Sequence, residues 1–214
     1  MGKLRYSTSM SLDGFVAGAN QGIDNPLGVG GERLHAWMRE LALWRREAGL
    51  DGGVVNESTR VLEEEDDGIA AIIMGRNMFG GGPGPWHEPI WSGWWGPNPP
   101  FHLPVFVLTH HARDTLECEG GTTFTFVTDG IETAKALAIA AAQGGDVAIS
   151  GGASVAKQYL AAGLIDEIVI HLVPTLLARG IRLFDDPQNA VDTYDQVSVT
   201  EAPGVTHLKY QLVH

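Results

Sequence analysis

The sequence predicts an α/β fold with a mainly parallel central sheet, helices on both faces and a C-terminal antiparallel β-hairpin, in one domain spanning residues 1–214. Three observations lead to this expectation. Apolar runs of strand length, Ile69–Met74, Val105–Leu108, Val147–Ser150 and Ile168–Val173, alternate with segments of helical period. Two of these runs end directly in glycine at a helix start, at Gly75 and at Gly151–Gly152. Beyond them, apolar and polar residues alternate on both sides of Pro203–Gly204, as in a hairpin.

In chain order, Leu4–Gly18 alternates as a strand, a loop at Leu12, Asp13 and Gly14, and a short extended piece at Phe15 and Val16. Ala19–Gly31 is glycine-rich and reads as a loop that serves as a lid. Leu34, Trp37, Met38, Leu41 and Trp44 then recur at helical spacing, with Gly49 just past the end, which predicts one amphipathic helix. A weaker helical stretch covers Asn56–Glu65, and the acidic run Glu63–Asp67 reads as a solvated face. Gly80–Pro100 holds Trp86, Trp91, Trp94 and Trp95 with no period, and is expected to pack on the body, on a second subunit or around a flat substrate, in that order. Thr123–Val127 is a further strand. Asp129 and Glu132 form a capping-box pattern ahead of a helix through Ile131, Ala134, Leu137 and Ala141, stopped by Gly144 and Gly145. Pro174–Arg182 is a loop, and Val197, Val199, Leu208, Tyr210 and Leu212 mark the two arms of the hairpin.

Composition removes several function classes. Twenty-six Asp and Glu against fourteen Lys and Arg give a formal charge of −12, which opposes nucleic acid and anionic membranes as partners. The apolar runs are too short to span a membrane, and the first strand starts soon after Met1, so a soluble cytoplasmic protein is expected. The single cysteine, Cys118, has no intramolecular disulfide partner, and Glu117 and Glu119 beside it argue against a catalytic thiol.

The chemistry concentrates at VAISGGASVAKQY, residues 147–159. A strand, two glycines and a helix start aim unpaired N–H groups and the positive end of the helix dipole at one point, and the glycines let a phosphate approach the backbone. One helix terminus contributes about 0.3–1 kcal/mol to an exposed charge, so a dinucleotide needs further donors. The same residues also suit a tight turn against a neighbouring strand. Gly75 and Arg76, Thr109 and His110, and Gly151 and Gly152 all lie at strand carboxyl ends, where sheets of this class bind ligands. His110 and His111 are not expected to hold a metal, because adjacent strand residues face opposite ways and no cysteine or carboxylate cluster accompanies them.

SLDGFVAG, GERLHAWM, MGRNMF, PVFVLTHHAR, ISGGASVAKQYL, LIDEI and LVPTLLARGIRLF together resemble the dihydrofolate reductase superfamily, specifically stand-alone relatives of the bacterial riboflavin-biosynthesis reductase domain. The resemblance covers nearly the whole chain. It implies a dihydrofolate reductase-like, NADPH-binding fold and a homodimer acting on a small-molecule substrate. It also implies roles: Gly75, Arg76 and Asn77 at the adenosine side and pyrophosphate, Thr109, His110 and Arg113 near the ribose 2′-phosphate, Gly151, Gly152, Ala153, Ser154 and Val155 at the pyrophosphate, and Thr8, Ser9 and Val16 at the nicotinamide. Arginine pairs strongly with phosphate, which favours NADPH over NADH.

The substrate is expected beside the first helix, near Leu34, Trp37 and Met38. Arg179 and Arg182, with Arg33, are candidates for a substrate phosphate, and Ala178 stands where the family more often has glycine. The helix carboxylate of folate reductases falls on Leu34, so efficient dihydrofolate reduction is not expected, and Glu32 and Asp13 are the substitutes considered, Asp13 also suiting a turn-holding role at Gly14. The histidine-glutamate and paired-cysteine signature of the fused zinc deaminase is missing from the sequence. The expected activity is hydride transfer from NADPH to a flat conjugated C=N or C=O compound, with a non-catalytic nucleotide-binding protein on the same fold as the alternative.

Overall fold

The computed structural model describes residues 2–87, 90–185 and 193–213. In chain order the elements are β1 (Leu4–Ser11), β2 (Phe15–Gly18), a 3-10 turn (Gly31–His35), α1 (Ala36–Arg39), α2 (Ala42–Glu47), α3 (Glu57–Asp66), β3 (Ile69–Gly75) and α4 (Arg76–Phe79). There follow β4 (Pro104–Leu108), β5 (Leu116–Glu117), β6 (Thr123–Val127), α5 (Gly130–Ala142), β7 (Asp146–Ser150) and α6 (Ala153–Ala161). The chain closes with β8 (Glu167–Val173), β9 (Gly180–Arg182), β10 (Tyr194–Ala202) and β11 (Val205–Leu212). These elements fall into two compact units, residues 1–6 with 68–165 and residues 7–67 with 166–214.

In the first unit, β1, β7, β3, β4 and β6 pair in parallel in that order, and the short β5 adds antiparallel to β6. This is the mainly parallel sheet the sequence predicts. Its interior is apolar: Ala71, Ile73, Met74, Val105, Val107 and Phe124 are almost wholly shielded. α5 packs on β3 and β4 through Ala134, Ala138 and Ala142, and Leu137 stays exposed. The expected stripe is therefore rotated towards alanine, whose lack of bulk lets a helix lie close to a sheet. Asp129 is the residue before this helix but its side chain caps nothing, so the capping box does not form. Gln143, at φ 49°, takes the left-handed end position assigned to Gly144 and Gly145.

Trp86, Trp91 and Trp95 pack against the core around Phe79 and Phe124, the first of the three environments expected for the tryptophan loop. Trp86 and Trp91 also donate their indole N–H groups, to His111 O at 3.0 Å and Phe79 O at 2.8 Å. Residues 88 and 89 of this loop lie outside the described residues.

In the second unit, β8, β11 and β10 form an antiparallel ribbon, and β2 pairs with β9. β9 lies inside the stretch expected to be loop. The single amphipathic helix expected from Leu34 to Trp44 is broken. Leu41 adopts extended geometry, with φ −71° and ψ 138°, and Glu40 O and the Ala42 N–H bond to Val54 instead of continuing the helix. The break lets Leu41 bury completely against Leu34, Trp37, Val173, Ala202 and Val205. α3 forms as expected, because Asn56 and Thr59 build a reciprocal capping box at its start.

Candidate functional site

The glycine turn follows β7 in the first unit. Gly151 and Gly152 both take positive φ, 60° and 80°, and open α6, whose first turn no side chain caps. A Cβ on Gly152 would meet only Gly75 Cα, at 4.0 Å, so this backbone can be approached closely. Gly151 differs: a Cβ there would overlap Met78 Sδ, so its lack of side chain is also demanded by packing. Gly75 is closed in turn by Val155, whose Cγ2 would lie 2.9 Å from an added Cβ. Ala153 and Val155 are buried and Ser154 is exposed.

Arg76 and Thr109 are brought together, with Arg76 Nη1 3.3 Å from Thr109 Oγ1. The rest of the guanidinium turns onto its own loop, donating to Gly80 O at 3.1 Å and Gly82 O at 2.9 Å, and it lies over the Trp86 ring at 3.3 Å. Arg113 donates to Trp91 O and sits 4.8 Å from the centre of the Trp86 ring. Burial, and for Arg76 also the neighbouring Arg113, draws both guanidinium pKa values below their ordinary range. These two arginines therefore hold the tryptophan loop, Arg76 from the end of β3 and Arg113 from the segment after β4. Asn77 and His110 are exposed.

The second unit contains a cleft of about 270 Å³. Thr8 and Ser9 line it from β1, His35, Trp37 and Met38 from the helical segment, Glu65 from α3 and His171 from β8. Ser9 is pinned there by the Trp37 indole, which donates to Ser9 Oγ at 3.2 Å. Of the residues expected at the substrate, Trp37 and Met38 line the cleft, whereas Leu34 is fully buried in the core. Val16 is half-buried in β2 and does not line the cleft. Arg33 and Arg179 are exposed, and Arg182 donates to Asp13 O at 2.8 Å while stacking over Phe15 at 4.3 Å.

Neither substitute carboxylate expected from the sequence lines this cleft. Glu32 is exposed. Asp13 accepts from Ser11 Oγ at 2.6 Å and from the Leu177 and Ala178 N–H groups at 3.2 and 2.7 Å, fastening the 174–182 loop. The hydrogen bond from Ser11, followed by those backbone bonds, keeps Asp13 below the usual carboxylate range despite some desolvation. Ala178 adopts φ 63°, a conformation that suits glycine and that these bonds help to hold.

The carboxylate that does line the cleft is Glu65, inside the acidic run expected to be solvated. Its side chain is 13% exposed and lies 3.4 Å from His171 Nε2. His171 Nδ1 is 2.8 Å from His207 Nδ1, and His207 Nε2 is 2.8 Å from Ser58 Oγ. Burial first, then nearby positive or imidazole groups, lowers His35 and His207 to about 4, so both are neutral at pH 7. Sequence reasoning missed Glu65, His171 and His207. The available signal was spacing: Ser58, Val61, Leu62 and Glu65 share one face of α3, and that face is the buried one.

Among the described residues, no group of three His, Cys, Asp or Glu is arranged to hold a metal, and no helix is long and apolar enough to cross a membrane.

The model of the RibD C-terminal domain family matches residues 2–208. The chain belongs to that family. It is a family of oxidoreductases of the reductase type. No curated protein matches the chain. Solved structures extend the likeness at the level of fold. A candidate riboflavin biosynthesis protein from Shewanella sp. PV-4 is 20% identical, with a TM-score of 0.65 and 99% of each chain covered. The deaminase/5-amino-6-(5-phosphoribosylamino)uracil reductase of Thermotoga maritima is 11% identical with a TM-score of 0.56, covering 99% of this chain and 57% of that one. Dihydrofolate reductase from Enterococcus faecalis, complexed with NADP(H), is 15% identical with a TM-score of 0.53, covering 100% of this chain and 98% of that one. The fold is dihydrofolate reductase-like, as the resemblance implied.

Proposed function

We propose that residues 1–214 act as one NADPH-dependent reductase domain that transfers hydride to a flat conjugated C=N or C=O compound, a riboflavin-precursor pyrimidine or a pterin-like molecule. The observation that carries this reading is the open backbone at Gly152, at the uncapped start of α6 and beside Gly75. Membership of the RibD C-terminal domain family supports the reaction class, and the NADP(H) held by the Enterococcus faecalis neighbour supports the cofactor. Gly151, Gly152, Ala153, Ser154 and Val155 would meet the pyrophosphate, Gly75, Arg76 and Asn77 the adenosine side and the pyrophosphate, Thr109, His110 and Arg113 the 2′-phosphate, and Thr8, Ser9 and Val16 the nicotinamide.

When bound, NADPH supplies the hydride. The residues of the cleft supply position and an apolar wall: Trp37 and Met38 line it, and Ser9, held by Trp37, offers a fixed hydroxyl. Arg179 is the candidate for a substrate phosphate, because its guanidinium is exposed, with Arg182 beside it in sequence. A soluble homodimer is part of this proposal.

A screen of pyrimidine ribosylamines, pterins and quinones for NADPH oxidation tests it. Turnover with one of the first two classes is the expected result. Saturable NADPH binding with no oxidation across the screen would instead identify a nucleotide-binding protein that performs no reduction.

A further inference from the structure

Ser58, His207, His171 and Glu65 form a continuous buried line, with successive contacts of 2.8, 2.8 and 3.4 Å. The line exists because β8 and β11 place His171 directly opposite His207, and α3 lays Ser58 and Glu65 two turns apart over that pair. The Trp37 indole packs on both imidazoles, at 5.0 and 5.1 Å between ring centres. One end, His171 with Glu65, lines the Trp37 cleft. The other, His207, lines a second, smaller cleft that Glu65 also borders, together with Ser198 and Lys209.

A contact between two Nδ1 atoms allows only one proton between them. For two uncharged rings, that single proton gives the line two directions. In one, Ser58 donates to His207, His207 Nδ1–H to His171, and His171 Nε2–H to the Glu65 carboxylate. In the other, a carboxylic Glu65 donates to His171 Nε2, His171 Nδ1–H to His207, and His207 Nε2–H to Ser58. Passage of one proton along the line converts the first into the second. Glu65 Oε1 is buried and has no hydrogen-bond partner among the described residues, a costly arrangement for a group that only fills space.

We propose that Glu65 delivers the proton that accompanies hydride transfer in the Trp37 cleft, and that His171, His207 and Ser58 reload it from the opposite cleft. This rests on the reductase reading above. As the substrate carbon of C=X gains a hydride, the π pair moves to X, and X takes the carboxylic proton of Glu65, leaving CH–XH and a carboxylate. Delivery leaves the proton of His171 on Nδ1 and that of His207 on Nε2, so the rings first reset: His171 Nε2 takes a proton from water in the Trp37 cleft, His171 Nδ1 passes its proton to His207 Nδ1, and His207 Nε2 releases one to water past Ser58. The carboxylate then takes the Nε2 proton of His171, His171 Nδ1 takes the proton of His207 Nδ1, and His207 Nε2 takes one from water past Ser58. The net uptake is one proton. Glu65 is the catalytic residue, and His207 and Ser58 are positioning residues. Facing the line from the Trp37 cleft are His35, with Arg39 near it, Glu47 and Asp66. From the other side come Arg60, Glu64 and Lys209, the last bound to Glu167 at 2.9 Å.

Two measurements test the proposal. The first is nitrogen-15 NMR of the histidine tautomers in the protein without ligand. Glu65→Ala is expected to change the tautomer balance of His207, one ring beyond its nearest neighbour, in step with that of His171. Independent behaviour of the two rings overturns the line. The second is NADPH oxidation with the acceptor returned by the screen. Glu65→Gln should lower kcat about a hundredfold with little change in KM. His207→Ala should lose kcat most at high pH and regain part of it in imidazole buffer, with His207→Gln as the conservative control for folding. Unchanged kcat in Glu65→Gln, or a His207→Ala defect that appears only in KM and is not rescued, overturns the delivery step. If the wild type oxidises NADPH with no acceptor, the reductase reading and the delivery step both fail, and the NMR result decides the coupling along the line alone.

Discussion

Gly151→Ala separates the two demands made on the glycine turn. The substituted residue must adopt φ 60°, which costs an alanine about 1–2 kcal/mol. Its Cβ would also overlap Met78 Sδ and crowd Met78 Cγ at 2.9 Å and Cβ at 3.1 Å. Met78 is half-buried on the four-residue α4, so it can rotate away at an off-rotamer cost of about 0.5–1.5 kcal/mol. The expected loss in stability is about 2–3 kcal/mol. Urea denaturation of the wild type, Gly151→Ala, Met78→Ala and the double variant measures it. In the Met78→Ala background the contacts with Sδ and Cγ go, and the backbone part and the crowding at Cβ persist, leaving a coupling of about 0.5–1.5 kcal/mol between the two sites. Equal losses in the two backgrounds, or a loss below about 0.5 kcal/mol, would refute the packing argument for Gly151.

His35 and His207 accept protons near pH 4 in the folded chain and near 6.5 when unfolded, so the unfolded chain binds more protons between those values. Stability should therefore fall as pH drops from about 6.5 towards 4, and His35→Gln should flatten that slope in denaturation curves recorded across the range. Asn56→Ala removes the capping box of α3 and should cost about 1 kcal/mol in the same assay. Leu41→Ala empties a fully buried position and should cost about 3 kcal/mol. Asp13→Ala removes the acceptor of the Leu177 and Ala178 N–H groups, and amide exchange at those two residues should accelerate while the β3 amides stay protected.

β3 and β4 were legible because they are apolar along their length, as at Ile72–Met74 and Val105–Val107, and β3 and β7 because glycine follows at their ends. α3 was legible from its own residues, since Asn56 and Thr59 act within one turn. The break at Leu41 was not, because Leu41 fits the helical period and the competing partner, Val54, lies far along the chain. β9 has three exposed residues and exists only through its pairing with β2. The same limit applied to the candidate site. The glycine turn and the positions of Trp37 and Met38 follow from local pattern, whereas Glu65 was hidden in an acidic run. The meeting of His171 and His207 depends on strand register, which no local pattern fixes. Arg76 and Arg113 stood out as charges, but their engagement with Trp86 depends on how the tryptophan loop returns to the sheet.

The most direct test of the central claim is a titration of the protein with NADPH and with NADH, followed by tryptophan fluorescence and thermal stability, alongside Arg76→Ala. Saturable binding is expected, tighter for NADPH, weakened by loss of Arg76, and stabilising the fold by about 2.7 kcal/mol at a hundred times the dissociation constant. Failure of both nucleotides to bind would contradict the assignment of the glycine turn, and with it the reductase reading.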